Sequence, residues 1–177
     1  MSDVFARRLT AEVEGSFVVF LVGMRVNRLW KLHRWLPVAL AMPRMLRELE
    51  ADPESGLLGH ETALSGRTVL VVQYWSSFAA LRGYARDLGR EHVPAWVSYN
   101  ASSGSGDVGV FHETYRVDAD DHESVYVDMP AFGLGGAGRL RPATGAFETA
   151  GERLGEYDGD GHPVTGDGTV DPADGGE

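Results

Sequence analysis

The apolar and polar positions divide most of the chain into short regular segments. Residues 16–24, SFVVFLVGM, form an unbroken β-branched and aromatic run, which predicts a strand buried on both faces. Residues 29–50 carry apolar side chains three or four positions apart, which predicts a helix. Residues 57–64 and 67–75 predict two strands joined by a tight turn, and residues 76–88 predict a second helix.

The most regular alternation lies at residues 108–117, VGVFHETYRV, and predicts an extended strand. This period places His112 on one face, together with Val110 and Thr114. An acidic turn follows, and residues 124–128 alternate again. We predict that these two strands form a hairpin.

The predicted order of elements is β, α, β, β, α, β with one extra strand at the end. Right-handed crossovers leave few arrangements for that order, and the commonest is a ferredoxin-like antiparallel sheet with both helices on one face, an α+β fold. We assign residues 1–15 to a polar arm and residues 16–140 to this domain. Residues 141–177 are rich in Gly and Asp, and we expect this tail to be largely disordered.

Composition narrows the class of protein. The chain has 177 residues, 43% of them hydrophobic, and no cysteine, so disulfides, thiolate metal sites and a cysteine nucleophile are excluded. The formal charge is −10, and the acidic balance argues against a nucleic acid partner. We find no apolar run long enough for a membrane span and no signal peptide pattern at residues 1–8, and we therefore expect a cytoplasmic protein.

The strand VGVFHETY is followed by a tyrosine-bearing strand, by DMP at residues 128–130 and by FGLG at residues 132–135. This succession resembles a bacterial and fungal family labelled monooxygenase-like or phenylacetaldoxime-dehydratase-like, in the dimeric α+β barrel superfamily. The resemblance covers roughly residues 15 to 140. It implies a homodimer in which two sheets pack face to face.

Two histidines are the main candidates for chemistry. His112 lies on the alternating strand, where a histidine can act as a base or a metal ligand, or can simply be a packed, hydrogen-bonded side chain. His92 follows the second helix, and the succession from Tyr74 and Trp75 to His92 resembles antibiotic-biosynthesis monooxygenases. Asp and Glu are not clustered around His112, and we expect no metal site.

The other candidate residues surround the same predicted site. We expect Asn100, Arg25 or Tyr74 to hold a developing oxyanion. Aromatic side chains at the ends of predicted elements are candidates for a substrate pocket, although core packing is the alternative reading for each; they are Trp35, Trp75, Trp96 and Tyr115.

A glycine-rich run at residues 133–138, GLGGAG, has the letters of the dinucleotide fingerprint. It does not lie between a strand and a helix of a βαβ unit, so we do not interpret it as a nucleotide site. We predict a flexible flap instead.

Three hypotheses for function remain. The resemblance implies a cofactor-independent monooxygenase that deprotonates a phenolic or enolisable apolar substrate through His112 or His92. The second is a haem enzyme, such as an aldoxime dehydratase, with one of these histidines as the axial ligand. The third is a dimeric module that binds a small ligand without turnover.

Overall fold

The computed structural model describes residues 3–87 and 104–156, and it divides into two compact units. One unit is Phe17–Arg116, and the other is formed by the residues before and after it. The elements, in chain order, are β1 (Phe5–Glu12), β2 (Phe17–Val26), α1 (Leu32–Glu50), β3 (Leu57–Ser65), β4 (Thr68–Trp75), α2 (Phe78–Arg86), β5 (Val108–Val117), β6 (Tyr126–Met129), α3 (Leu134–Ala137), β7 (Arg139–Pro142) and α4 (Ala150–Arg153).

The unit Phe17–Arg116 is built on a four-stranded sheet with the order β3-β4-β2-β5. Strand β4 runs antiparallel to β2 and to β3. Together with the order β, α, β, β, α, β along the chain, this arrangement confirms the predicted ferredoxin-like α+β fold. Strands β3 and β5 are the two edges of the sheet.

The core of this unit lies between the sheet and its two helices. Val18, Leu49, Trp75 and Leu81 are buried and form one cluster, in which Trp75 is completely inaccessible to solvent. Helix α2 begins where predicted, because the Ser77 side chain accepts a hydrogen bond from the backbone of Ala80.

The second unit contains a three-stranded sheet with the order β6-β1-β7. Strand β1 lies within the segment that the sequence suggested was a polar arm. The predicted hairpin of residues 108–117 and 124–128 is wrong, because β6 pairs with β1. The backbone N–H of Ala11 donates to the Ser124 hydroxyl (2.9 Å), which draws the chain before β6 to β1.

The glycine-rich run does not form the predicted flap. It contains the one-turn helix α3, in which Leu134 and Gly135 are buried. The Gly135 N–H donates to the hydroxyl of Tyr126 (3.0 Å), and a Cβ at Gly135 would lie 2.7 Å from Leu140. Close packing against Leu140 therefore favours glycine at this position.

The described part of the predicted tail includes α4, which has a capping box between Thr149 and Glu152. Residues 157–177, which make up the rest of this tail, lie outside the described residues. No described helix has both the length and the apolar character needed to cross a bilayer.

A buried carboxylate joins the turn after β2 to the start of β5. The Asp107 side chain is 2% exposed and accepts hydrogen bonds from Lys31 Nζ (2.9 and 3.1 Å) and Arg28 Nη1 (2.9 Å). Its backbone carbonyl accepts from the N–H groups of Asn27 and Arg28. The hydrogen bond from Lys31, with the positive charges of Lys31 and Arg28, lowers the pKa of Asp107.

We expect Asp107→Asn to lower the thermal unfolding midpoint by several degrees at pH 7, because two cations then face a neutral amide. A carboxylate whose pKa is lowered in the folded state stabilises the fold at pH values above its unfolded-state pKa of about 3.9. This stabilisation is lost as the pH falls through the folded-state pKa. The difference in unfolding midpoint between the wild type and the variant should therefore be constant above about pH 5 and should become smaller below about pH 4. Thermal unfolding followed by circular dichroism across this range measures it.

The matched control is Asp120→Asn, since Asp120 is exposed. This exchange should leave the midpoint nearly unchanged at every pH. An equal effect of the two substitutions would show that Asp107 does not anchor the turn.

Candidate functional site

A cavity of about 520 Å³ lies between the sheet and the helices of the unit Phe17–Arg116. Its strand wall is made of residues that point to one face of β2, β4 and β5, and its helix wall comes from α1 and α2. The volume is in the range of small-molecule sites. Most lining side chains are apolar, and the polar ones are Gln73, Arg82, Tyr84, His112 and Thr114.

His112 contributes its imidazole to the strand wall. It lies on β5 in phase with Val110 and Thr114, and all three line the cavity, as expected from the alternation of this strand. Its ring contacts Phe20, with the ring centroids 5.7 Å apart and the planes tilted by 41°. The side chain is otherwise exposed, so the ring nitrogens are accessible to a ligand.

Gln73 was not identified from the sequence. It is 4% exposed, and its Oε1 accepts a hydrogen bond from the indole Nε1 of Trp75 (3.0 Å). An indole N–H can only donate, so the amide oxygen must face Trp75 and the NH₂ group is the part offered to the cavity. The sequence feature that could have identified Gln73 is its position as a polar residue inside the apolar strand TVLVVQYW. It lies two positions before Trp75 and therefore on the same face of the strand.

Gln73, Phe20 and His112 point to the same face of three neighbouring strands. Gln73 and Phe20 are paired in the register of β4 and β2, and β2 lies between β4 and β5. Two strand spacings of about 4.8 Å each separate the backbones of Gln73 and His112 by at least roughly 10 Å. A flat ligand over the Phe20 ring would therefore meet a hydrogen-bond donor on one side and an imidazole on the other.

The opposite wall of the cavity combines aromatic and methionine side chains. The ring of Tyr84 lies 5.9 Å from that of Trp75, and its hydroxyl donates to Glu48 (3.4 Å), which links α2 to α1. Met42 and Met45 of α1 also line the cavity. Methionine side chains adapt to irregular apolar ligands, so this wall suits a polycyclic molecule.

Several predicted site residues point away from this cavity. Tyr74, Arg25 and Tyr115 occupy strand positions next to cavity-lining residues, and adjacent strand residues point to opposite faces. Trp35 lies on α1 outside the lining and donates to the Leu29 carbonyl (3.0 Å). Of the predicted candidates that the structure describes, only His112 and Trp75 meet in the cavity.

The Tyr115 hydroxyl instead donates to Glu113 (2.6 Å) on the same face. That hydrogen bond to a carboxylate raises the pKa of Tyr115. Tyr115 is therefore a poor candidate for a phenolate at neutral pH.

Three candidates, His92, Trp96 and Asn100, lie outside the described residues. Within residues 3–87 and 104–156, no group of three or more His, Asp or Glu side chains is arranged to hold a metal ion.

Comparison with protein families gives a match over about two thirds of the chain. The model of a family described as Monooxygenase af470-like matches residues 17–134. The protein named Monooxygenase af470 from Aspergillus fumigatus is 28% identical over an alignment of 165 positions, and this alignment covers 76% of the present chain. The match covers 55% of the length of that relative.

Solved structures give a likeness in fold. An aldoxime dehydratase in complex with butyraldoxime has a TM-score of 0.54 at 16% identity, covering 80% of this chain and 40% of that one. SnoaB, a cofactor-independent oxygenase from Streptomyces nogalater, has a TM-score of 0.42 at 14% identity, covering 56% of this chain and 91% of that one.

We expect Trp75→Ala to lower the free energy of unfolding by about 3 to 5 kcal/mol, because it leaves a large hole beside the cavity. Trp75→Phe should cost less, about 1 to 2 kcal/mol, since it keeps an aromatic ring but removes the hydrogen bond to Gln73. Urea denaturation followed by circular dichroism measures both.

Trp30→Ala is the control, since Trp30 is 76% exposed and its removal should change stability by less than about 0.5 kcal/mol. If Trp75→Ala were no more destabilising than Trp30→Ala, Trp75 would not hold this wall together.

Proposed function

The chain belongs to the Monooxygenase af470-like family, and from that membership we propose that its cavity binds a flat, apolar, phenolic or enolisable molecule and catalyses its monooxygenation without a cofactor. One observation carries the proposal. An accessible imidazole, His112, and a donor of fixed orientation, the Gln73 NH₂ group, lie on opposite sides of the Phe20 ring in an apolar cavity.

The first step is removal of a proton from the substrate. A ring methylene or hydroxyl conjugated with a carbonyl loses its proton to His112, and the negative charge spreads to the carbonyl oxygen. Gln73 donates a hydrogen bond to that oxygen, and Trp75 keeps the amide in the correct orientation beforehand. The apolar walls exclude water, which strengthens this interaction.

The electrons for oxygen reduction come from the substrate itself. The carbanion passes one electron to O₂, and the resulting radical and superoxide combine to form a peroxide anion. His112 returns its proton to the peroxide, which then eliminates water. A methylene becomes a carbonyl, with one oxygen atom in the product and the other in water, so no external reductant is needed.

We further propose that the enzyme is a homodimer. The sheet face opposite the cavity carries apolar side chains, including Phe111 and Tyr115, which are 38% and 49% exposed. A second copy of this chain would bury that face, as the predicted face-to-face packing of two sheets requires.

We expect His112→Ala to lower kcat/KM for oxygen uptake with polycyclic ketones that carry such a ring methylene by about 10² to 10⁴, because the general base is lost. An oxygen electrode and the product's absorption spectrum measure the rate. Gln73→Leu keeps the side-chain size but removes the donor, and should cost about 10 to 100-fold, with kcat falling more than KM rises.

His33→Ala serves as the control, since His33 is exposed on α1 and does not line the cavity. Full activity of His112→Ala would exclude His112 as the base. If the wild-type protein quenches its tryptophan fluorescence with these molecules but consumes no oxygen, it is a binding module and not an oxygenase.

A haem enzyme is the second candidate, because a histidine that faces an apolar cavity is also suited to hold haem iron. His112 would hold the haem iron and Arg82, which lines the same cavity, would pair with a propionate. Haem would supply redox chemistry or Lewis acidity at its iron.

If haem binds, titration of the purified protein with haemin should give a saturable Soret band that shifts or disappears in His112→Ala and is unchanged in His33→Ala. A featureless, unsaturable titration would exclude this candidate. The two outcomes separate the haem enzyme from the cofactor-independent oxygenase before any substrate is known.

A further inference from the structure

Helix α1 is apolar on its outer side as well as on the side that faces the core. Ala41, Leu46 and Leu49 are buried. A second row, at positions i, i+4 and i+8, faces solvent: Leu32, Leu36 and Leu40 are 57%, 42% and 50% exposed. A surface helix normally presents polar side chains there, so this row has the character of a contact surface.

The turn before α1 extends this row. Leu29 and Trp30 are 48% and 76% exposed. Three contacts fix this turn. Arg28 and Lys31, which flank Leu29 and Trp30, both bind the buried Asp107. The Trp35 indole donates a hydrogen bond to the Leu29 carbonyl. Trp30 is thus presented to solvent by an anchored turn.

The same part of the chain is strongly basic. Residues 25–47 contain six lysines and arginines and no Asp or Glu, in a chain whose formal charge is −10. Asp107 offsets one of these charges. Arg25 lies on the sheet face that points away from the helices, and the other five, Arg28, Lys31, Arg34, Arg44 and Arg47, lie in α1 or in the turn before it.

We propose that this α1 outer surface, defined as Leu29, Trp30, Leu32, Leu36 and Leu40 with the flanking cations, docks onto an anionic lipid bilayer. The leucines and the tryptophan enter the interfacial region, where Trp is favoured, and the cations meet lipid phosphates. A nucleic acid would pair with the cations of this surface but would leave its exposed leucines without an apolar partner. This surface is independent of the oxygenase chemistry.

The first experiment is sedimentation of the full chain with vesicles. The protein should bind vesicles of phosphatidylglycerol and phosphatidylcholine at low salt, and should bind weakly to phosphatidylcholine alone or at high salt. We expect Trp30→Ala and Leu36→Ser each to weaken binding by about tenfold. Leu64→Ser is the matched control, because Leu64 is 79% exposed and belongs to β3 rather than to the α1 outer surface, and its loss should change nothing.

The charged side chains are tested in the same assay. Arg34→Gln and Arg44→Gln should each weaken binding to the anionic vesicles by about fivefold. Arg7→Gln removes an exposed arginine from β1 and should have no effect. Binding should also shift tryptophan emission to shorter wavelength in the wild type, and Trp30→Phe should abolish most of that shift.

The proposal is overturned if the wild type fails to bind anionic vesicles at low salt, or if Leu64→Ser weakens binding as much as Leu36→Ser. It is also overturned if light scattering shows that Leu36→Ser dissociates an oligomer, since the row would then be a subunit interface. Trp30 precedes the helix, so Trp30→Ala still tests the surface if Leu36→Ser fails to fold.

Discussion

The ion pairs of Asp107 with Lys31 and Arg28 are the constraint on which the rest of the Phe17–Arg116 unit depends. A carboxylate this deeply buried is tolerated only when its oxygens are paired. Asp107 directly precedes β5, and its two cations lie in the turn between β2 and α1. These contacts therefore fix the start of the strand that carries His112, together with the turn that presents Trp30.

The two-residue period of the strands then decides which side chains share the cavity. Gln73 and Trp75 lie on one face of β4, and Tyr74 between them lies on the other. The indole of Trp75 is at once part of the core and the group that orients the Gln73 amide. In the proposed mechanism, packing and substrate recognition are therefore linked through one side chain, and core substitutions here would affect the chemistry as well.

Helix α1 connects the two proposed roles of the chain. Its inner side chains Met42 and Met45 line the cavity, while Leu32, Leu36 and Leu40 face outward. An apolar polycycle partitions into bilayers rather than water. A helix that forms the wall of a cavity and also lies on the lipid surface would shorten the path of such a substrate to His112.

The sequence by itself determined the ferredoxin-like order of elements, because unbroken apolar runs and helical spacing reflect burial that is local along the chain. The alternation in β5 likewise determined that His112 shares a face with Val110 and Thr114. The same alternation placed Tyr115 on the opposite face. The sequence did not reveal that β6 pairs with β1, since strand pairing over more than a hundred residues depends on contacts such as that of Ser124 with Ala11. Only the tertiary structure decided that Gln73 joins His112 while Arg25 and Tyr74 do not, because strand register sets which residues of different strands share a face. The tertiary structure also revealed the exposed apolar row on α1, because solvent exposure depends on which side chains the fold leaves uncovered. The overall acidic charge of the chain had hidden the basic segment beside this row.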